Sequence, residues 1–517
     1  MFLYKDSEII KKEKRLHIIC YDFETTGRNS VWDQIIQVGA VLTNENLEEI
    51  DTYESSCLLK PGTIPEPGAL MVNEQIPGEG TQLSHYSFVK LMWQKFTDWI
   101  NTYGPIAFVG YNSVNFDEEF LRRTLYKNLF PPFLTTAQNF GNPGRRGDII
   151  NLARTTNVFY PGTLKTTFNE KGKEVYKLGQ LVRDNVTSGI ATTLKFHDAL
   201  DDVRGTIEIA RIVKNQAPKL WIAALKTMNK KDVFEFVNNE RIVVSSEFYF
   251  GTVRTYIVAL ICEGLKGTLK TFDLRHDPSH FIGLEYQELK KIIAGAKPKI
   301  IRSIIPNKHP ILMPAEPEWI KLINGYEDIG IEELIRRADI IKDNIEFHSQ
   351  LKRMLLEEQK ETEMDQTDKE PEECIYSYGF AGPQEKDLMI KFHSGNWQEK
   401  LEIAEQFKNL RTNDYQSSQR GQIYSEFAKL IVYEENPESL SDHEKKRIKK
   451  KLADRIFYSD NDNVKSPWNN IGRAHIQLEN LGAGLESEGK KDDSNELLML
   501  YKIKDLIEKI ENEFAET

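Results

Sequence analysis

The hydrophobic pattern of the first 220 residues alternates between two periods. Short runs rich in β-branched and aromatic residues, LHIICYDFE, IIQVGAVLTN and IAFVGYN, predict buried strands. Longer stretches with apolar positions three or four residues apart, such as SFVKLMWQKFTDWINTY and HDALDDVRGTIEIARIVKN, predict helices. Strands that alternate with helices in this order predict an α/β domain with a mixed sheet over residues 1–220.

The remainder of the chain shows three other patterns. Residues 241–313 hold short strand-like runs separated by glycines, which predicts a small sheet or barrel within a second domain at 221–356. Residues 357–373, EEQKETEMDQTDKEPEE, contain nine acidic and two basic side chains and predict a solvated linker. Residues 374–517 carry helix-forming residues with periodic apolar positions and predict a helical domain.

Composition places the chain among globular proteins. Its 517 residues exceed what one core usually serves, and 40% of them are hydrophobic. No apolar run approaches the ~20 residues of a membrane span, and the first sixteen residues lack the apolar stretch of a secretory signal. Four cysteines, at positions 20, 57, 262 and 374, lie far apart without a CxxC pair. We therefore expect a cytoplasmic protein with reduced thiols and no cysteine zinc site.

The formal net charge of -11 is concentrated in the last third of the chain. Residues 1–220 hold 25 basic and 26 acidic side chains, whereas residues 357–517 hold 23 and 35. The overall acidity therefore does not exclude a phosphate-rich ligand bound elsewhere on the molecule.

Two carboxylates interrupt the first apolar strand. Asp22 and Glu24 are two residues apart and so lie on one face of the strand. Like charges on a buried face repel each other unless one is protonated or both share a cation, and a hard divalent metal with oxygen ligands removes the conflict. The same DxE spacing recurs at 6–8 and 442–444 without other signs of chemistry, so the pair alone is a weak signal.

Two further segments add acidic residues at helix starts. In GYNSVNFDEEFLRR, Asp117 opens a predicted helix, where a carboxylate alone indicates only a favourable charge near the helix dipole. In KFHDALDDV, Asp198 is the predicted helix cap, His197 precedes it and Asp202 lies within the helix. A lone histidine at a helix entrance is usually structural. Together, however, four carboxylates and one histidine are what two-metal phosphodiester hydrolysis requires.

These segments carry a family resemblance. YDFETTG, GYNSVNFDEEF and HDALDDV resemble the three motifs of the DEDD 3′→5′ exonuclease superfamily, in its histidine-containing branch. PGTIPEPGALMV, SSEFYFGTVRTYIVAL, IIPNKHPILMP, IYSYGF and YEENPESL resemble, in order, segments of bacterial exonuclease I. The resemblance runs from about residue 17 to about residue 460 and therefore covers most of the chain.

The resemblance implies a fold and an activity. The expected architecture is an RNase H-like nuclease domain with a mixed sheet, then an SH3-like β domain, then a helical C-terminal domain. The expected activity is processive hydrolysis of single-stranded DNA from its 3′ end to 5′-mononucleotides, with a role in DNA repair and recombination. The expected partner is the acidic tail of single-stranded DNA-binding protein, and the expected state is a monomer.

The resemblance also implies residue roles. One Mg²⁺ would be held by Asp22, Glu24 and Asp202, and a second by Asp22 and Asp117, with Mn²⁺ as a substitute. His197 would take the proton of the attacking water. The expected substrate contacts are Glu24, Arg122, Phe133, Arg154 and Lys177. Arg122 has the alternative of a surface charge, and Phe133 that of a core residue.

At three places the sequence departs from the family pattern in ways that bear on its affinity for DNA. Lys177 stands where an arginine is expected, which keeps the charge and loses the bidentate fork. The segment IVYEEN, 431–436, replaces a basic stretch with acidic residues, and LMVNEQI, 70–76, departs from the usual Thr-Gly-Ile wedge beside the active site.

Two alternative functions remain open at this stage. A single-strand RNA exonuclease of the same superfamily is disfavoured by the roughly 300 residues that follow the nuclease, since such enzymes are usually small nuclease domains alone. A non-catalytic binding protein of the same fold is disfavoured because all five catalytic positions are present.

Overall fold

The computed structural model describes residues 16–136, 143–187, 189, 194–249, 251–360, 369–410, 414–460, 465–490 and 494–515. Two stretches interpreted from sequence, the charged N-terminus up to residue 15 and residues 361–368 of the predicted linker, lie outside the described residues. None of the helices in the described part is long and apolar enough to cross a membrane.

The strands, in chain order, are β1 His17–Thr25, β2 Ile35–Thr43, β3 Glu49–Ser56, β4 Ile106–Gly110, β5 Arg146–Asp148, β6 Thr167–Phe168, β7 Glu174–Val175, β8 Val243–Tyr249, β9 Thr252–Glu263, β10 Leu269–Asp273, β11 Ile301–Ile304 and β12 Ile311–Pro314.

The helices are α1 Pro67–Asn73, α2 His85–Tyr103, α3 Asp117–Lys127, α4 Ile149–Phe159, α5 Leu178–Asn185, α6 Ala199–Gln216, α7 Pro218–Lys226, α8 Lys230–Asn239, α9 Tyr286–Gly295, α10 Pro317–Ile320, α11 Ile331–Asp343, α12 Ile345–Lys360, α13 Pro383–Ser394, α14 Trp397–Lys408, α15 Tyr415–Glu435, α16 Asp442–Ile456, α17 Ile471–Ser487 and α18 Asn495–Ala515.

The first sheet is mixed, as predicted. Its strand order is β3-β2-β1-β4-β5, with β1 antiparallel to β2 and parallel to β4. Both faces of β1 are covered because it is the central strand. Ile18 and Cys20 pack into the core that contains α6, whereas Ile19 and Tyr21 pack into the core on the other face. Side chains alternate along a strand, so Asp22 and Glu24 lie on the same face as Cys20, the face towards α6.

The second sheet lies in the region predicted to hold a small β domain. Its order is β11-β10-β9-β8-β12, and all of its neighbouring strands are antiparallel. One apolar core continues from α6 of the first region to this sheet, and Val203, Ile207, Val244 and Ile257 all belong to it.

The C-terminal third is helical, as predicted, and shares a core with the other face of the first sheet. Phe120 of α3 lies in the same apolar cluster as Phe407 of α14 and Phe427 of α15. The mixed sheet, the second sheet and the helical C-terminal region confirm the expected fold class. The bounds at residues 220, 356 and 373 stay predictions.

The acidic segment 357–373 is helical at both of its described ends. Helix α12 continues to Lys360, and a 3₁₀ helix spans Pro371–Tyr376. Glu372 is buried there, and its carboxylate pairs with Arg455 over 2.6 Å, which lowers the pKa of Glu372 despite its burial. A solvated linker therefore remains a prediction for the middle of this segment only.

The acidic pair at 434–435 faces the start of α2, in the region of the first sheet. The main-chain N–H of Tyr86, in the first turn of α2, donates to Glu434 over 2.9 Å, and the hydroxyls of Ser84 and Ser87 donate to Glu435. Carboxylates at a helix N-terminus satisfy its free N–H groups and complement its dipole. The acidic departure from the family pattern therefore serves a contact inside the protein.

Candidate active site

Three carboxylates converge where β1 meets α6. Ligand oxygens of Asp22, Glu24 and Asp202 all lie within 4.8 Å of one another, and this is the one group of potential metal ligands found among the described residues. Asp202 Oδ1 is buried without a hydrogen-bond partner in the described part of the chain. A buried acceptor without a donor, beside two further carboxylates, fits a divalent cation that prefers oxygen ligands.

The fourth carboxylate comes from the second motif, GYNSVNFDEEF. Asp117 is the first residue of α3, as the sequence predicts, and is 2% exposed. Its Oδ1 accepts a hydrogen bond of 3.2 Å from the main-chain N–H of Phe23, the residue between Asp22 and Glu24. The structure thus brings together all four acidic residues that the sequence predicts.

His197 precedes the cap of α6, and Asp198 is the cap, as predicted. The backbone of His197 is in the left-handed region, with φ of 69°, and its side chain is exposed. The main-chain N–H of His197 lies beside the carboxylate of Asp202 and lowers the pKa of that group. The candidate base and one candidate metal ligand are therefore neighbours at the start of α6.

The pKa values of the four carboxyls reflect their crowding. Burial raises the pKa of Glu24 to about 9 and that of Asp202 to about 7, and nearby carboxylates add to both shifts. Burial first, and neighbouring carboxylates second, hold the pKa of Asp22 well above its usual range. Burial also raises the pKa of Asp117, against the bond from Phe23. A bound cation would remove the repulsion that raises these values.

Helix α6 approaches β2 closely because of a glycine. Gly39 lies opposite Asp22 in the β1–β2 register, and a Cβ built at this position would be 2.3 Å from main-chain atoms of Ala199 and Leu200. No side chain at this position could fit without a shift of helix or strand. The close approach places the start of α6 directly above the carboxylates.

A buried charge network lies at the start of α3, around Glu118. Glu118 accepts hydrogen bonds from the hydroxyls of Tyr21 and Thr135, and from Arg146 over 2.7 Å. Arg146 also donates to the main-chain oxygen of Asn307 near the second sheet. Sequence reasoning missed this network. Its one sequence signal is the four-residue spacing of Glu118 and Arg122, whose charged groups lie 3.4 Å apart.

Arg122 and Phe133 lie together beside the C-terminal region. Arg122 is 8% exposed, so its alternative interpretation as a surface charge is wrong. Its guanidinium lies 5.4 Å from the centre of the Phe133 ring. The partly buried Phe133 ring lies 5.2 Å from that of Phe380 in the C-terminal region. Phe380 is 76% exposed, and the aromatic density of IYSYGF was the signal for it.

Arg154 and Lys177 both lie near Tyr176. The guanidinium of Arg154 is 6.0 Å from the Tyr176 ring centre, and Lys177 is exposed as the N-cap of α5. The structure brings these two basic residues to one region without a contact that assigns them a ligand.

The carboxylates that the first strand and two helix starts bring together form a site suited to a divalent metal ion. The family model described as Exonuclease matches residues 19–210, which include all five predicted catalytic positions. The chain therefore carries an exonuclease domain over these residues.

The curated relatives are similar over a longer stretch. Exodeoxyribonuclease I of Buchnera aphidicola from Acyrthosiphon pisum is 30% identical over 247 residues, which are 47% of this chain and 57% of that protein, so the match spans less than two thirds of the relative. Exodeoxyribonuclease I of Haemophilus influenzae is 24% identical over 446 residues, 78% of this chain and 92% of that one. The resemblance drawn from the motifs is confirmed.

A solved structure shows the same fold. Escherichia coli exonuclease I in complex with a dA16 oligonucleotide matches with a TM-score of 0.73 and 19% identity, over 96% of this chain and 99% of that one. At this identity the likeness establishes the fold, and it extends through the second sheet and the helical C-terminal region.

Proposed function

We propose that this protein is a 3′→5′ exodeoxyribonuclease that hydrolyses single-stranded DNA to 5′-mononucleotides, with Mg²⁺ as its cofactor. The observation that carries the proposal is the convergence of Asp22, Glu24 and Asp202 within 4.8 Å, with Asp117 bound to the strand between the first two. Relatives named exodeoxyribonuclease I and an exonuclease domain at 19–210 support it.

The carboxylate cluster fits two divalent cations in shared coordination. Asp22, Glu24 and Asp202 would hold one and Asp22 with Asp117 the other, and such ions lower the pKa of bound water and stabilise charge on the phosphate. His197 would accept the proton of the attacking water, since its side chain is exposed and its main-chain N–H lies beside the carboxylate of Asp202. Glu24 would in addition contact the terminal nucleotide.

The DNA strand would follow the aromatic surface between the nuclease and C-terminal regions. Phe133 and Phe380 offer ring faces, and Arg122 lies against Phe133. Stacking on aromatic side chains beside positive charge is how proteins bind single strands without sequence preference. Arg154 and Lys177, which both lie near Tyr176, would contact phosphates of the strand.

The test is digestion of a 3′-labelled single-stranded DNA oligonucleotide beside RNA and duplex DNA of the same sequence. Each substrate is incubated with Mg²⁺ or with EDTA, and with wild type, Asp202→Asn and Asp343→Asn. Asp343 is an exposed residue at the end of α11 and serves as a matched control. We expect Mg²⁺-dependent release of mononucleotide from single-stranded DNA by wild type and Asp343→Asn only.

Three other outcomes would change the proposal. Faster digestion of RNA would indicate an RNA exonuclease of the same superfamily. Absence of hydrolysis by folded wild type with Mg²⁺ or Mn²⁺ would indicate a binding protein. Full activity of Asp202→Asn would remove Asp202 from the site. A monomeric state, cytoplasmic location, a role in repair and recombination, and binding of the acidic tail of single-stranded DNA-binding protein remain predictions from the resemblance.

A further inference from the structure

The side chain of Gln37 on β2 makes four hydrogen bonds at the edge of the carboxylate cluster. Gln37 pairs with Glu24 in the β1–β2 register and is 6% exposed. Its Nε2 donates to Glu54 and to Asp198, each over 3.2 Å. Its Oε1 accepts from the main-chain N–H of Ala199 over 3.3 Å and from Nε2 of Gln75. The amide therefore uses both of its donors and both of its acceptor positions.

The orientation of this amide follows from the backbone. The N–H of Ala199, the first residue of α6, is a donor and nothing else, so the oxygen of Gln37 must face it. Gln75 then has to present its own NH₂ group to the same oxygen. If the donor of Gln75 were lost, the Gln37 oxygen would keep a single bond to the start of α6.

Gln75 belongs to a segment that contacts two of the three motifs. Asn73 Nδ2 donates to the main-chain oxygen of Thr25, the residue after Glu24. Glu74 forms an exposed ion pair of 3.4 Å with Lys195, two residues before His197. Gln75 reaches the start of α6 through Gln37. The segment lies in LMVNEQI, which departs from the family pattern.

We propose that Gln75 is a positioning residue for the metal site, and the proposal rests on the proposed function. Through Gln37, Gln75 holds the start of α6 against β2. Helix α6 carries Asp202, and His197 is the residue before its N-cap, Asp198. A looser start of α6 would move Asp202 relative to Asp22 and Glu24, which stay fixed in the central strand. The affinity for the cation would then fall, because outer hydrogen bonds orient metal ligands.

The experiment compares wild type with Gln75→Met, Gln37→Met and the double variant. Calorimetric titration with Mn²⁺ in the absence of DNA gives the dissociation constant of the metal, and single-stranded DNA hydrolysis at increasing Mn²⁺ gives kcat and KM. Glu79→Ala is the matched control, because Glu79 lies four residues further along and pairs with exposed Lys502. The thermal unfolding midpoint of each variant shows that it is folded.

We expect Gln75→Met to raise the Mn²⁺ dissociation constant about tenfold, the lower end of the effect of outer hydrogen bonds, with an unchanged KM for DNA and a kcat regained at high Mn²⁺. Gln37→Met should weaken binding at least as much, and Gln75→Met should add nothing in the Gln37→Met background. Glu79→Ala should match wild type.

Several results would overturn the inference. An unchanged metal affinity of Gln75→Met, an additive effect in the double variant, or a raised KM with unchanged metal affinity would each exclude positioning through Gln37. A wild type that neither binds Mn²⁺ nor hydrolyses DNA would instead overturn the proposed function, so the two failures are distinguishable.

Discussion

The main-chain N–H of Phe23 donates to Oδ1 of Asp117 across 3.2 Å. Phe23 lies between Asp22 and Glu24, so the strand that carries the first carboxylate pair also holds the third carboxylate in place. Two motifs that are 94 residues apart in the chain are thereby joined by one hydrogen bond. The contact gives Asp117 a structural role beside its proposed metal role, and the two roles can be separated.

Replacing Asp117 by asparagine should separate them. The Asn oxygen can still accept from Phe23, so stability should stay at or above that of wild type while activity falls at least ~100-fold, the order of loss when a reacting group is misplaced or removed. Asp117→Ala should lose activity equally and also lose about 1–3 kcal/mol of unfolding free energy, because a buried N–H is left unpaired. Urea unfolding and DNA hydrolysis measure the two effects. Equal stability of the two variants would contradict the role of the bond.

The crowded carboxyls make the metal-free protein sensitive to pH. The pKa of Glu24 is raised to about 9 from an ordinary value of 4.5, so the folded state holds a proton that the unfolded state releases. The associated stability is present below about pH 4.5 and is lost as pH rises towards 9, by up to about 1.4 kcal/mol per pH unit. In EDTA, Glu24→Gln should therefore unfold at higher urea than wild type at pH 8–9 and match it at pH 5.

The control for this experiment is Glu346→Gln, at an exposed position in α12. Its difference from wild type should not change with pH. Saturating Mg²⁺ should raise the wild-type urea midpoint at pH 8. The difference in urea midpoint between Glu24→Gln and wild type should then be smaller. A difference between Glu24→Gln and wild type that is the same at pH 5 and pH 9 would show that Glu24 is not crowded in solution.

The buried pair of Glu118 and Arg146 should be costly to break. The two side chains are 1% and 5% exposed. Arg146→Met leaves the Glu118 charge buried beside only Arg122, and we expect a loss of about 3–5 kcal/mol in unfolding free energy. Arg146→Met with Glu118→Leu should lose less than Arg146→Met alone, since the buried Glu118 charge is then absent and Arg122 keeps Glu119 at 3.5 Å.

Lys391→Met provides the matched control, because the Lys391–Asp387 pair is 61% and 60% exposed. Its loss should stay within about 1 kcal/mol. If the double replacement at 146 and 118 were as damaging as the single one, the arginine would matter for packing or for its bond to Asn307 and not for charge.

The exposed ring of Phe380 should contribute to substrate binding and little to stability. A stacked base is worth about 1–3 kcal/mol, so Phe380→Ala should raise the KM for single-stranded DNA about fivefold or more without a change in kcat. The urea midpoint should stay at the wild-type value. Ile390→Ala, at a residue of α13 that is 69% exposed, should change neither quantity. A changed kcat with unchanged KM would place Phe380 outside the DNA path.

The residues of the candidate site could be picked out from the sequence because each has a local signature. Asp22 and Glu24 interrupt an apolar strand, Asp117 starts a helix, and Asp202 follows a cap at Asp198. Their proximity in space depends on contacts between segments that are distant in sequence. Only the combination of the three motifs made the prediction specific. The two-residue spacing of Asp22 and Glu24 also predicted that they share one face of the strand.

The residues that hold the site could not be predicted in this way. Gln37 and Gln75 are ordinary polar residues in sequence, and their roles arise from hydrogen bonds between segments that the chain pattern does not relate. Glu434 appeared in the sequence only as a departure that bears on DNA binding, and the structure places its carboxylate at the N-terminus of α2. A carboxylate in a charged run gives no sign of which buried N–H it will meet.

The apolar cluster that joins Phe120 to Phe407 and Phe427 limits which parts of this chain can be removed or exchanged. Because the inner layer of the nuclease region is completed by helices from the far end of the chain, a nuclease segment excised at residue 220 would expose an apolar face and associate with other molecules. A C-terminal region taken from another protein would have to present a matching surface to α3. Recombination of such genes is therefore expected to preserve the nuclease and its C-terminal helices as one inherited unit.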